Sequence, residues 1–97
     1  MIKPKQRAFL RSLANRIPAL FQVGKEGVTE NFLKQIEGAL ETRELIKVHV
    51  LENAMSDPRD VCQEIVQAVG AEPVQVIGSK FVLYKESKEN KKIVLPK

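Results

Sequence analysis

Between Thr29 and Gly70 the apolar residues change period twice, which limits the possible folds more than any other feature of the chain. Phe32, Leu33, Ile36, Ala39 and Leu40 recur at helical spacing, so a helix should run to about Thr42. Thr29 stands where its hydroxyl can accept from the free amides of that helix's first turn. The next segment, ELIKVHVLE, alternates instead: Ile46, Val48 and Val50 share one face of a strand, and Lys47 and His49 the other. Val61, Cys62, Ile65, Val66 and Val69 then return to helical spacing. That helix opens on Asp57–Pro58, an aspartate cap with proline in the first position, and Gly70 is placed to close it.

The flanking segments complete the pattern. Phe9, Leu10, Leu13, Ala14 and Ile17 predict a first helix over about residues 5–16, with Arg7 and Arg11 on one polar side. Pro18 stops it, and Ala19–Val23 reads as a short strand ending at Gly24. PVQVIGSKFVLYK reads as two strands about Gly78–Ser79, with glycine first as in a type II′ hairpin. The order is a helix followed by βαβαββ, an α/β (α+β) fold with a four-stranded mixed sheet. Right-handed crossovers make three strands roughly parallel and one antiparallel. Lys47, His49 and Gln75 predict a sheet face open to solvent, with the helices packed mainly on the other. The tail from Glu86 is charged, and IVLP near its end should pack or add a little strand. No repeat, linker or low-complexity tract interrupts the 97 residues, so residues 1–97 read as a single domain.

Several function classes drop out on composition. No apolar run approaches the roughly 20 residues that cross a bilayer, and the basic start lacks the apolar core of a secretory signal. One cysteine and one histidine supply neither an internal disulfide nor a metal site, so a reducing cytoplasm is expected. Charge is distributed unevenly. Lys3, Lys5, Arg7, Arg11, Arg16 and Lys25 give residues 1–25 a charge of +6 with no acid. Ten acids against Lys34, Arg43, Lys47 and Arg59 make residues 26–79 −6. Six lysines against Glu86 and Glu89 make residues 80–97 +4. Such a bipolar molecule has one face suited to a polyanion.

The stretch LFQVGKEGVT places Gly24 and Gly27 around Lys25 and Glu26, at the mouth of the Thr29 helix. Glycines there permit close approach of a phosphate and the positive φ of a tight turn, while the helix end presents unpaired amides. The same pair also serves a strand-to-helix turn that merely bends the chain. The spacing is not that of a P-loop, and two glycines do not make a dinucleotide fingerprint. His49 has no nucleophile beside it in the pattern, and Cys62 falls on an apolar stripe. Glu37, Glu41 and Glu44 read as a solvated helix face. Phe81 should share the dry side with Leu83, which leaves Tyr84 as the one candidate for base stacking.

G-x-x-G is also the backbone clamp of KH domains, where it joins two helices; here it follows a strand. FLRSLANRIPALFQVGKEGVTENFLKQIEGAL, RELIKVHV and QVIGSKFVLYK, in that order, resemble the CRM domain of YhbY-like proteins and plant organelle splicing factors. The resemblance covers nearly the whole chain. It implies an RNA-binding domain related in fold to KH modules and to the C-terminal domain of bacterial initiation factor three. Stand-alone bacterial members are associated with precursors of the large ribosomal subunit. Carried onto this chain, the clamp is Gly24, Lys25, Glu26 and Gly27, with the basic first helix beside it. Asn15 and Lys85 depart from the family's frequent histidine and arginine, and lysine lacks arginine's bidentate geometry. The expectation is a monomeric, cytoplasmic, non-enzymatic protein without cofactor or metal. Its partner is RNA, held by Lys3, Lys5, Arg7, Arg11, the Gly24–Gly27 loop and the helix behind Thr29. A second reading is a protein-interaction module that docks through the open sheet face, with the basic termini as solvated tails.

Overall fold

In the computed structural model, which describes residues 2–97, each expected element forms close to its expected bounds. Helix α1 (Pro4–Ala14) begins on a proline, whose missing N–H leaves nothing unpaired in a first turn. Strand β1 (Phe21–Val23) leads through the glycine loop into α2 (Glu30–Arg43), capped by the Thr29 hydroxyl, which accepts from the Phe32 amide at 3.1 Å. Strand β2 (Leu45–Val50) is followed by a turn of 3₁₀ helix (Glu52–Ala54) that no pattern announced. Helix α3 (Pro58–Val69) is capped by Asp57 and closed by Gly70 at φ 71°. Strands β3 (Glu72–Ile77) and β4 (Lys80–Tyr84) complete the sheet. At their turn Gly78 alone takes positive φ, 58°, as the first residue of a type II′ turn requires.

The sheet order is β1-β2-β4-β3. β1 pairs parallel to β2, and β4 runs antiparallel to both β2 and β3. Three strands therefore run one way and one against them, as expected. The closing strand is inserted between β2 and β3, a detail invisible to periodicity. Alternation then sorts the side chains. Phe21, Val48, Phe81 and Val76 form one row across the sheet and face α2 and α3. Ile36, Leu40, Ile65, Cys62 and Leu83 complete that core. Phe81 is almost fully buried there, so Phe81→Ala would destabilise by about 3–5 kcal/mol.

Two of the three helices cover that face, but the opposite face is not left open. Leu10 and Ala14 of α1 lie on it with Leu45, Val74, Val82 and Tyr84, and Ile93 and Leu95 of the tail pack alongside. Tyr84 is therefore buried and unavailable to a base. Burial, followed by the charges of Glu44 and Glu86, pushes its phenol above the ordinary tyrosine range. The tail adds no strand. It is held instead by Glu41 and Glu44, which are not part of a solvated face as their spacing suggested; only Glu37 of that trio remains exposed.

Candidate nucleic-acid interface

The four residues Gly24–Gly27 form a closed turn, with the Gly27 amide donating to the Gly24 carbonyl at 2.9 Å. Gly27 takes φ 71°, a conformation that side chains resist, whereas Gly24 does not. A β-carbon added at Gly24 would meet Asn53 Oδ1 at 3.6 Å and Leu51 Cδ1 at 3.7 Å, ordinary contacts. Neither backbone nor packing therefore demands glycine at position 24. Beyond the turn, the Thr29 hydroxyl takes the Phe32 amide and its carbonyl the Leu33 amide. The Glu30 and Asn31 amides, in the first turn, have no acceptor in the helix. Gly24, Lys25, Glu26, Gly27 and Thr29 line one open concavity of about 360 Å³. Gln22, Asn31 and Gln35 share it, and sequence reasoning passed over all three. Strand alternation at Gln22 and the four-residue step from Asn31 to Gln35 are the signals that could have found them. Lys25 and Glu26 are exposed, and neither forms an ion pair among the described residues.

The cations of α1 lie elsewhere. Arg7 Nε donates to the Pro73 carbonyl at 3.3 Å, the Ile2 amide to Glu72 Oε1 at 3.0 Å, and Gln6 Nε2 to the Pro96 carbonyl at 3.0 Å. These contacts pin the start of α1 to the start of β3 and to the end of the tail. The glycine turn follows the end of β1, at the opposite edge and opposite end of the sheet. Lys3, Lys5 and Arg7 are thus not beside the turn, because α1 must cover the second face of β2, β4 and β3 to bury Leu10 and Ala14. Lys3, Lys5 and Arg11 are exposed; Arg7 is half-buried but retains donors beyond its Nε.

Between these two basic regions the register sets a polar row. Gln22 stands opposite His49, and His49 opposite Lys80. Lys47 shares that face, and Asn15 at the end of α1 borders a small hollow with Lys47, Gln75 and Lys80. Seven of the acids fall instead on the side of α2 and α3: Glu30, Glu37, Glu41, Glu44, Asp57, Asp60 and Glu64. These two helices carry three cations, Lys34, Arg43 and Arg59, against those acids.

Other candidates take structural roles. Cys62 is buried, and desolvation pushes its thiol up to about 11, far from a reactive thiolate. Lys85 donates to the Val69 carbonyl at 2.7 Å and so caps the end of α3. Glu41 accepts from the Ser87 hydroxyl and from the amides of Lys88 (3.0 Å) and Glu89 (3.2 Å). These bonds, the Ser87 hydroxyl foremost, hold its carboxyl at about 2. Glu44 is fully buried and accepts from the amides of Ser87 (2.9 Å), Lys92 (2.6 Å) and Ile93 (2.8 Å). Burial pushes the Glu44 carboxyl up; the three amides and the charge of Lys91 outweigh it, so the net shift is downward. Among the described residues no group of three His, Cys, Asp or Glu side chains is placed to hold a metal, and no helix is long and apolar enough to cross a membrane.

Known proteins are similar to this chain in sequence and in fold. Residues 2–85 match the CRS1 / YhbY (CRM) domain. The chain is similar to the Probable RNA-binding protein YqeI of Bacillus subtilis, 54% identical over 99% of this chain and 100% of that one. It is also 38% identical to an RNA-binding protein of Haemophilus influenzae, over 99% of this chain and 96% of that one. Among solved structures it resembles that of the Staphylococcus aureus protein SAV1595, described as a candidate RNA-binding protein. The two are 53% identical, with a TM-score of 0.82 over 99% of this chain and 100% of that one. With the family match spanning residues 2–85 and relatives 54% and 38% identical over nearly their whole length, the chain belongs to the CRS1 / YhbY (CRM) domain family.

Proposed function

We propose that this chain is a non-enzymatic, monomeric, cytoplasmic protein that grips the backbone of structured RNA, in assembly of the large ribosomal subunit. The observation that carries the reading is the Gly24–Gly27 corner. Exposed Lys25 and Asn31, in the first turn of α2, border a concavity whose one acid, Glu26, forms no ion pair among the described residues. Gly24, glycine without structural need, lets a sugar-phosphate chain settle against them. The naming of relatives as RNA-binding proteins supports the choice of polyanion. Glu26, exposed at the tip, is free to turn away from a phosphate.

Lys3, Lys5, Arg7 and Arg11 are a second set of phosphate contacts in this reading, reached across Lys47, His49 and Lys80. A molecule 39 Å in its longest dimension with cations at two separated corners suits an extended, folded RNA better than a short oligonucleotide. Buried Tyr84 and the paucity of exposed aromatics favour recognition of backbone and shape over reading of bases.

Crosslinking in cells followed by sequencing of the attached RNA tests both levels. Enrichment of large-subunit ribosomal RNA precursors is expected. Crosslinks spread over unrelated transcripts would remove the ribosomal role, and a protein that crosslinks to no RNA would remove the reading altogether.

A further inference from the structure

A groove of about 460 Å³ opens where the connection from α1 to β1 passes the end of α2, the start of β2 and the tail. Of its twelve lining residues eight are apolar and four are cationic, with no acid among them. Ile17, Pro18 and Leu20 come from the connection and Phe21 from the start of β1, and Leu20 is 54% exposed although it is a large aliphatic residue. The cations come from four separate segments: Arg16 from the connection, Arg43 from α2, Lys47 from β2 and Lys92 from the tail. None of the four is in an ion pair among the described residues. The Lys92 and Ile93 wall is set by Glu44, whose buried carboxylate binds both amides. The groove is thus an apolar floor fenced by unpaired positive charge, and one side of it is fastened in place.

We propose that this groove receives a single unpaired nucleotide of the bound RNA, its base against Ile17, Pro18, Leu20 and Phe21 and its flanking phosphates on the surrounding cations. The proposal rests on the RNA-binding reading above. A nucleotide is a flat, largely apolar body with an anion on either side, and the volume lies within the range of small-ligand sites. Arginine guanidinium planes also stack on bases. The floor offers no side-chain hydrogen-bonding group besides the cations, so the site accepts any base that leaves the helix and does not read its edge. It lies apart from the glycine concavity, with which it shares no lining residue.

Two RNA hairpins that differ only by one bulged nucleotide test this against wild type and Leu20→Asn. Leu20 is surface-exposed, so the substitution leaves the fold intact, checked by circular dichroism. Wild type should bind the bulged hairpin about tenfold tighter, and Leu20→Asn should lose that ratio while keeping its affinity for the paired hairpin. Equal affinities in wild type, or an unchanged ratio in the variant, would overturn the groove and leave the backbone reading standing. Failure to bind either hairpin would overturn both. A fluorescent Leu/Glu-rich peptide bound by wild type but not by Leu20→Asn, with the hairpins bound alike, would assign the groove to a protein partner and overturn the nucleotide.

Discussion

The two ends of α2 use the same chemistry in opposite states of completion. At its C-terminal end, Glu41 and Glu44 supply the anions and the tail supplies amides from Ser87 to Ile93; every buried polar side-chain atom there has its partner. At its N-terminal end, Lys25 and the Glu30 and Asn31 amides present donors, and Glu26, the one acid lining the same concavity, forms no ion pair with Lys25 among the described residues. The first arrangement is strong enough to hold Glu44 at φ 65°, a left-handed conformation that costs a non-glycine residue about 1 kcal/mol. The second has no such strain at Gly24 and no such internal use. Satisfied donors and acceptors build the fold; donors left open on the surface are available to something else.

The sharpest way to break this contrast is salt. If the open end binds RNA with the cations named above and at least six phosphates are neutralised, affinity should fall by about 10³ between roughly 50 and 200 mM salt. Melting of the tail latch should barely respond over the same range, because its partners are buried or hydrogen-bonded amides. Salt-insensitive RNA binding, measured by filter retention, would contradict the backbone reading. Next in size, Gly24→Asp combined with Gly27→Asp should weaken RNA binding by about 100-fold, since carboxylates would both block and repel the phosphate chain. Asp tolerates the left-handed region at position 27 better than most residues. A well-folded double variant that binds normally would sink the clamp.

At the other end, Glu44→Ala should destabilise by about 2 kcal/mol, read from urea unfolding, because three amides, those of Ser87, Lys92 and Ile93, lose their buried acceptor. RNA affinity well below the melting range should be changed far less than by the glycine substitutions. Acid sharpens the same point. The folded carboxyl of Glu41 sits at about 2, below its ordinary value near 4.5, and that of Glu44 is lowered too. Groups with depressed folded values contribute stability that is present above the ordinary value and lost as pH falls towards the folded one. Wild type should therefore lose stability between about pH 5 and pH 2, and Glu41→Gln with Glu44→Gln should flatten that slope in urea melts taken across the window. The smallest effects separate the two glycines. Gly27→Ala should cost about 1 kcal/mol through its positive φ, whereas Gly24→Ala should shift stability by less than about 0.5 kcal/mol and still weaken RNA binding.

Much of this was legible in one dimension because it depends on local periodicity and local caps. Thr29, Asp57–Pro58, Gly70 and Gly78 act within a few residues of themselves, and each stands in the fold where its chemistry requires. The side-chain alternation of β2 likewise sorted Ile46, Val48 and Val50 from Lys47 and His49 without reference to any partner strand. The glycine turn was visible for the same reason. Glu41 and Glu44 were misread because their partners lie more than forty residues away, and a helix face that meets solvent has the same spacing as one that meets a tail. Tyr84 was misread because its exposure depends on α1, which returns over the second sheet face from the far end of the chain.

The amino-acid sequence by itself determined which segments form the three α-helices and the four strands, their bounds to within about two residues, and where the glycine turn sits. Hydrogen bonds and side-chain periods over a few residues suffice for that. Only the tertiary structure decided that β4 lies between β2 and β3, that the basic start of α1 sits far from the glycine turn, and that two acids fasten the tail beside a groove ringed with positive charge. Those facts follow from burying two faces of one sheet at once, and no local pattern records which distant surface will cover which.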